Sequence, residues 1–183
     1  DDALACRDSS PLSDVRLTLI QKASGAWRPI GVGCSLAVLV KKIAATHLNI
    51  VASPILVARG AYSLATDGCR RLVAGLRQGL GQGFHLVALD IEDAFCQVDR
   101  AALLAQLSSD APAIAPFIQH VLRPNSIAAQ SGDGSFHVST CTRGVIQGCP
   151  LSSTLFSLLL ARLVADAVRA RGGSLLTDAN PFD

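Results

Sequence analysis

A chain of 183 residues, half of them apolar, is long enough for one domain with a proper core or for two small lobes, and its net charge of +2 is too small to argue for nucleic acid by charge alone. Its six cysteines form no C-x-x-C pair and have no histidine at zinc spacing, so they read as free, mostly buried thiols in a reducing, intracellular setting. The longest apolar runs, 30–40 and 155–160, fall short of the roughly 20 residues a membrane span needs, and no membrane partner is expected.

Residues 1–14 lack periodicity and read as a loop or frayed lead-in. Alternation from Val15 to Ile30, broken at residues 22–26, predicts a hairpin with a five-residue connection and with Lys22 and Arg28 at its shoulders. From Ser35 to Val51 the spacing of Leu36, Val38, Leu39, Ile43, Ala44, Leu48 and Val51 predicts a helix packed on that face, with Lys41 and Lys42 opposite and Pro54 stopping or kinking it. A second helix is expected from Asp67 to Leu80, with Leu72, Val73 and Leu76 inward, Arg70, Arg71 and Arg77 outward, and Gly79, Gly81 and Gly83 ending it. Leu86 to Leu89 then gives a short buried-strand signal that runs into Asp90.

Asp99 is a natural N-cap for a helix over 100–107, and Asp110 with Pro112 is expected to start another that ends near Leu122. Ile127 to Gln130 and Phe136 to Cys141, joined by Ser-Gly-Asp-Gly, predict a second hairpin. Gly144 and Gly148 flank Gln147 just before Pro150, and a long helix should run from Leu151 to Arg171, supported by Arg162 and Asp166 at i,i+4 and closed by Gly172-Gly173. Hairpin, helices, strand, helices, hairpin and helix in that order predict an α+β fold rather than regular βαβ winding.

An acid at the end of a buried strand suits a hard cation such as Mg²⁺, which selects carboxylate oxygens. Asp93 is open to two readings, as a further ligand or as a helix cap. Lys22 and Arg28 could clamp a polyphosphate or line a solvated rim; Gly144 and Gly148 could admit a ligand to the backbone or make a tight turn.

The order of these stretches resembles reverse transcriptases. Residues 89–100, LDIEDAFCQVDR, are similar to their first palm motif; residues 143–160, RGVIQGCPLSSTLFSLLL, to the Gly-x-x-Gln-Gly-x-Pro-Leu-Ser motif that follows; and residues 17–32, LTLIQKASGAWRPIGV, to the fingers segment upstream. The flavour of these motifs is most like retrotransposons lacking long terminal repeats. The resemblance implies the fingers and partial palm of a right-hand polymerase: fingers over 15–85, palm over 86–112, a return to the fingers over 113–149, and a palm helix over 150–183.

The resemblance also implies roles. Asp90 would ligate two Mg²⁺ ions as a catalytic residue, and Lys22 and Arg28 would hold the triphosphate of a dNTP. Asp93 and Ala94 would offer backbone N–H groups to its phosphates, Phe95 would exclude a 2′-OH, and Gln147 with Gly148 would contact the nucleotide pocket. RNA template and DNA primer would be the partners, in the nucleus if the element is eukaryotic.

The family's remaining metal ligands lie in an aromatic-x-Asp-Asp turn that does not occur before Asp183; Thr177-Asp178-Ala179-Asn180 has an acid but no paired one. With the Asp1-Asp2 start and the lack of methionine, this reads as a slice of a longer protein that holds one of three metal carboxylates and does not polymerise alone. The alternative is an inactive, repurposed RNA-binding module gripping the backbone through Lys41, Lys42, Arg70, Arg71 and Arg77.

Overall fold

The computed structural model describes residues 12–175 apart from 24 and 26. Among the described residues two hairpins build the sheet, and four of the five helices build the core. Strands β1 (Val15–Gln21) and β2 (Trp27–Val32) pair antiparallel, with Leu17 opposite Gly31 and Gln21 opposite Trp27, which leaves the predicted five-residue connection between them. Strands β3 (Asn125–Gln130) and β4 (Phe136–Cys141) form the second hairpin. The hairpins join through a parallel contact of β1 and β3, giving the order β2-β1-β3-β4. Both hairpins lie where alternation and turn residues put them.

Helices α1 (Ser35–Ala58), α2 (Gly68–Gly81), α3 (Arg100–Asp110), α4 (Ala115–Val121) and α5 (Ser152–Ala170) complete the chain. Leu48, Leu56, Leu103, Leu107, Ile118, Leu151, Leu155 and Leu158 are fully buried where α1 and α3 meet α5 and α4 closes over α3. Each stabilises the fold by about 1.5–3 kcal/mol of removed apolar surface. Asp99 caps α3 as expected, accepting from the Ala101 and Ala102 amides, and Gly172 at φ 70° ends α5.

Several expectations are overturned. In α1 the buried positions are Ala37, Lys41, Ala45, Leu48, Ala52 and Leu56, so of the predicted inward face only Leu48 is fully covered, and Leu36, Leu39 and Ile43 are exposed. Alanines let α1 approach α5 closely, and apolar residues all round the helix conceal which side that is. Lys41, predicted outward, is 3% exposed. Pro54 does not stop α1, which runs on to Ala58 because Leu56 and its neighbours anchor the last turn in the core. By length and composition α1 could cross a membrane, but it carries buried Lys41 and packs against α5.

In α2 the buried residues are Gly68, Gly75 and Gly79, while Leu72 and Val73 of the predicted inward face are exposed. The five described cysteines are exposed or half-buried rather than mostly buried, and Cys34 caps α1 through its sulfur. Leu86 to Leu89 is not a strand; no β-strand among the described residues pairs with it, and Val87 and Leu89 are exposed. An apolar run supplies the inclination to be covered, but a ladder also needs a neighbour. Thr177-Asp178-Ala179-Asn180 lies outside the described residues.

Asp110 ends α3 instead of starting α4. Its carboxylate accepts a forked pair from the Arg59 guanidinium at 2.7 and 2.8 Å, clamping the ends of α1 and α3 together, and Gln106 adds a third bond. The Arg59 bonds hold the Asp110 carboxyl below its ordinary value. A folded-state value below the unfolded one of about 3.9 gives stability that is fully present above that value and is lost as pH falls through the depressed one. Asp110→Asn is therefore expected to cost roughly 3 kcal/mol from pH 5 to 8. In urea titrations the gap from wild type should close only below about pH 4.

Candidate active site

Gly144 is the joint around which the site is assembled. Its φ of 78° is left-handed, and a Cβ there would lie 2.9 Å from the carbonyl oxygens of Phe95 and Cys96, so only glycine permits the approach. The Gly144 amide donates to the Val98 carbonyl at 2.9 Å and the Val145 amide to the Phe95 carbonyl at 2.8 Å. These bonds lay the segment before Gln147 directly along the turn after Asp90.

That turn spans residues 92–97. Asp93 has φ 47°, and its carbonyl accepts from the Cys96 and Gln97 amides at 2.8 and 3.1 Å. Among the described residues the Asp93 and Ala94 amides donate to no protein acceptor. Phe95 tilts its ring against Phe156 of α5 with 5.2 Å between centroids, which fixes the side chain on the core. The Cys96 thiol is pushed above its ordinary value by burial first and then by the Asp93 and Cys141 charges.

The loop continues to the edge of the first hairpin. The Gln147 carbonyl accepts from the Gly31 amide at 2.8 Å, so the loop occupies the open edge of β2. Gly148 has φ 97°, and a Cβ on it would stand 2.8 Å from the Gly31 carbonyl oxygen. A Cβ on Gly31 would in turn overlap the Ile146 side chain. Glycines on both sides therefore set the contact between hairpin and loop.

Strand alternation places Arg28, opposite Ile20, and Lys22, one residue past β1, on one face of that hairpin. Both are exposed, and neither side chain has an ion pair or hydrogen bond among the described residues. Asp90 is exposed too, accepting among the described residues only from the amide of Ile91 at 2.9 Å. The structure thus joins the Asp93–Phe95 turn to Gln147, Gly148 and the hairpin, while Asp90, Lys22 and Arg28 stand free at its margins.

Arg100 is the residue that sequence reasoning missed. It is 8% exposed and has no carboxylate partner among the described residues. Its guanidinium donates to the carbonyls of Leu122, Arg123, Cys141, Arg143 and Gly144 and to Asn125 Oδ1 at 2.8–3.3 Å. Burial lowers its pKa, and the Cys141 sulfur opposes that shift. Arg100 so ties α3, the end of α4, both strands of the second hairpin and Gly144 into one unit. A cation just after a cap residue reads from sequence as a solvated first turn, and nothing in the spacing marks it as buried.

The family model described as reverse transcriptase (RNA-dependent DNA polymerase) matches residues 20–171, a span that contains every candidate site residue. This chain belongs to the reverse transcriptase family. Among solved structures, this reverse transcriptase chain is similar to apo telomerase from Candida tropicalis truncated from its C-terminal domain, at a TM-score of 0.64 and 13% identity. The match covers 94% of this chain and 41% of that one, so the likeness is one of fold over less than half of the telomerase. No curated protein matches the chain. The α+β class and the reverse-transcriptase type of polymerase fold expected from the motifs are those observed.

The divalent ions generally used by the family need more than one hard ligand. No group of three or more His, Cys, Asp or Glu side chains that could hold a metal occurs among the described residues. Asp90 is a suitable oxygen donor but does not make a site by itself.

Proposed function

We propose that this chain carries the nucleotide-selecting part of an RNA-directed DNA polymerase of a retroelement lacking long terminal repeats. In this reading residues 15–85 and 113–149 are fingers and 86–112 and 150–183 belong to the palm. The observation that supports it is the glycine-set contact of the Gln147 loop with both the first hairpin and the Asp93–Phe95 turn. That contact puts cationic side chains, unpaired amides and an aromatic ring on one framework.

Each group then has a task its chemistry suits. Arg28 offers a planar fork and Lys22 a point charge to the dNTP triphosphate. The Asp93 and Ala94 amides donate to its phosphate oxygens, and Gln147, able to donate and accept, contacts the nucleotide. Phe95, braced on Phe156, fills the space a 2′-OH would need. Asp90 supplies one carboxylate toward Mg²⁺. RNA template and DNA primer are the macromolecular partners.

Primer extension on an RNA template, by the protein in which this stretch occurs, tests the reading. Mg²⁺-dependent incorporation of dNTPs is expected, and no incorporation by the wild type with a folded chain would refute it. Phe95→Val is expected to raise ribonucleotide use relative to deoxynucleotide use by tenfold or more, since about 1.4 kcal/mol of relieved clash is tenfold. Unchanged sugar selectivity would remove the gate from Phe95.

That no group of three or more metal-ligating side chains occurs among the described residues favours a second reading, an RNA-binding module without chemistry. Lys42 and Arg77 are exposed and available to it, but Arg70 pairs with Asp67 at 2.9 Å, Lys41 is buried and Arg71 stacks on Tyr62 with its guanidinium 5.3 Å from the ring centre. Salt-dependent RNA binding with no incorporation would favour this reading.

A further inference from the structure

A small, partly enclosed cavity lies where α1, α3, β3 and the start of α5 converge, bordered by Ser13, Lys41, Arg100, Asn125, Cys149 and Ser152 together with apolar side chains. Its volume is about 20 Å³. Roughly 10–15 Å³ measured this way admits a water, so there is room for one water or one monatomic ion and little else.

The polar groups left over at this cavity are donors. Asn125 is 2% exposed, and its Oδ1 accepts from Arg100 at 3.1 Å, which fixes the amide's orientation. Asn125 Nδ2 is buried and has no partner. Lys41 is 3% exposed and makes no ion pair or hydrogen bond with any described residue. The Arg100 guanidinium is already surrounded by oxygen acceptors, but it places a second positive charge on the same wall. Among the described residues no Asp or Glu borders the cavity. Asp14, whose carbonyl lies near Gly33 as does Lys41 Nζ, directs a carboxylate oxygen to the Ser126 amide.

We propose that this cavity is a binding site for a single halide ion, chloride in ordinary buffers, held by Lys41 Nζ and Asn125 Nδ2. The charge decides between the two occupants that fit. A water would accept from the orphaned Asn125 Nδ2 yet leave two cations with no counter-charge among the described residues, which is costly away from bulk water. A halide accepts from both donors and neutralises one of the cations. Phosphate, sulfate and carboxylates are too large for the space. The site ties α1 to β3 and stands independently of the polymerase reading.

The test compares thermal unfolding of the chain in sodium bromide and in sodium gluconate at equal ionic strength, for wild type and Lys41→Met. The wild-type midpoint is expected to rise saturably with bromide, by roughly 3–6 °C at ten times the half-saturating concentration. Lys41→Met should show no bromide-specific rise. Diffraction from wild-type crystals grown in bromide provides the second measurement, with an anomalous peak expected in contact with Lys41 Nζ and Asn125 Nδ2. A wild-type midpoint indifferent to bromide, a full response in Lys41→Met, or a water without anomalous signal in the cavity would overturn the proposal.

Discussion

Asp90→Asn is expected to lower dNTP incorporation by about a thousandfold or more while leaving the fold unchanged. The two effects separate because of where Asp90 sits. Its side chain is exposed and accepts a single hydrogen bond, from its own neighbour Ile91, which an asparagine oxygen can accept equally well. Surface changes of this kind usually shift stability by no more than about 0.5 kcal/mol. The negative charge, by contrast, is what an amide cannot offer to a divalent cation. Electrostatic stabilisation by a bound metal is worth several kcal/mol, and each 1.4 kcal/mol is about tenfold in rate. Single-turnover primer extension beside a thermal melt checks both halves. Incorporation within tenfold of wild type would show that Asp90 is not a metal ligand; a collapsed melt would show a structural role.

The parts of the fold legible in the sequence are those governed by neighbours along the chain. Alternation and a Gly-containing connection define both hairpins, the Asp99 carboxylate reaches amides two and three residues away, and Gly172 ends α5. What was hidden depends on partners far along the chain. The face of α1 is chosen by where α5 lies, and with apolar residues all round, periodicity favours bulky Leu36, Leu39 and Ile43 over the alanines that make the contact. Leu86 to Leu89 has the composition of a strand, but a strand exists only beside another.

The site divides along the same line. Gly144 and Gly148 could be picked out as places for a close backbone approach, and both have left-handed φ and no space for a Cβ. Gly31, inside an apparently ordinary strand, gave no such signal, because its need for glycine comes from Ile146, more than a hundred residues away. Lys41 and Arg100 were hidden for a further reason. A charged residue reads as solvated unless an opposite charge is found for it, and neither has a carboxylate partner among the described residues: Arg100 rests on carbonyl oxygens, and Lys41 faces the small cavity.

Arg100→Met is expected to destabilise the chain by about 4 kcal/mol or more, which for a chain of this size lowers the thermal midpoint by roughly 8–16 °C. A buried charge can often be exchanged for a hydrophobic residue without loss when its partner is exchanged too. Here the partners are backbone carbonyls of Leu122, Arg123, Cys141, Arg143 and Gly144, which no substitution removes. Methionine fills much of the volume but leaves several of them without a donor, at about 1–3 kcal/mol for each that water cannot reach. Arg100→Lys keeps the charge but replaces a planar fork by one ammonium with three donors, so it should recover only part of the loss. Exchange protection of the Gly144 and Val145 amides should fall in both variants, because Arg100 holds the Gly144 carbonyl beside the turn those amides donate to. A methionine variant within about 1 kcal/mol of wild type, with those amides still protected, would show that the two glycine-set contacts suffice to hold the Gln147 loop without Arg100.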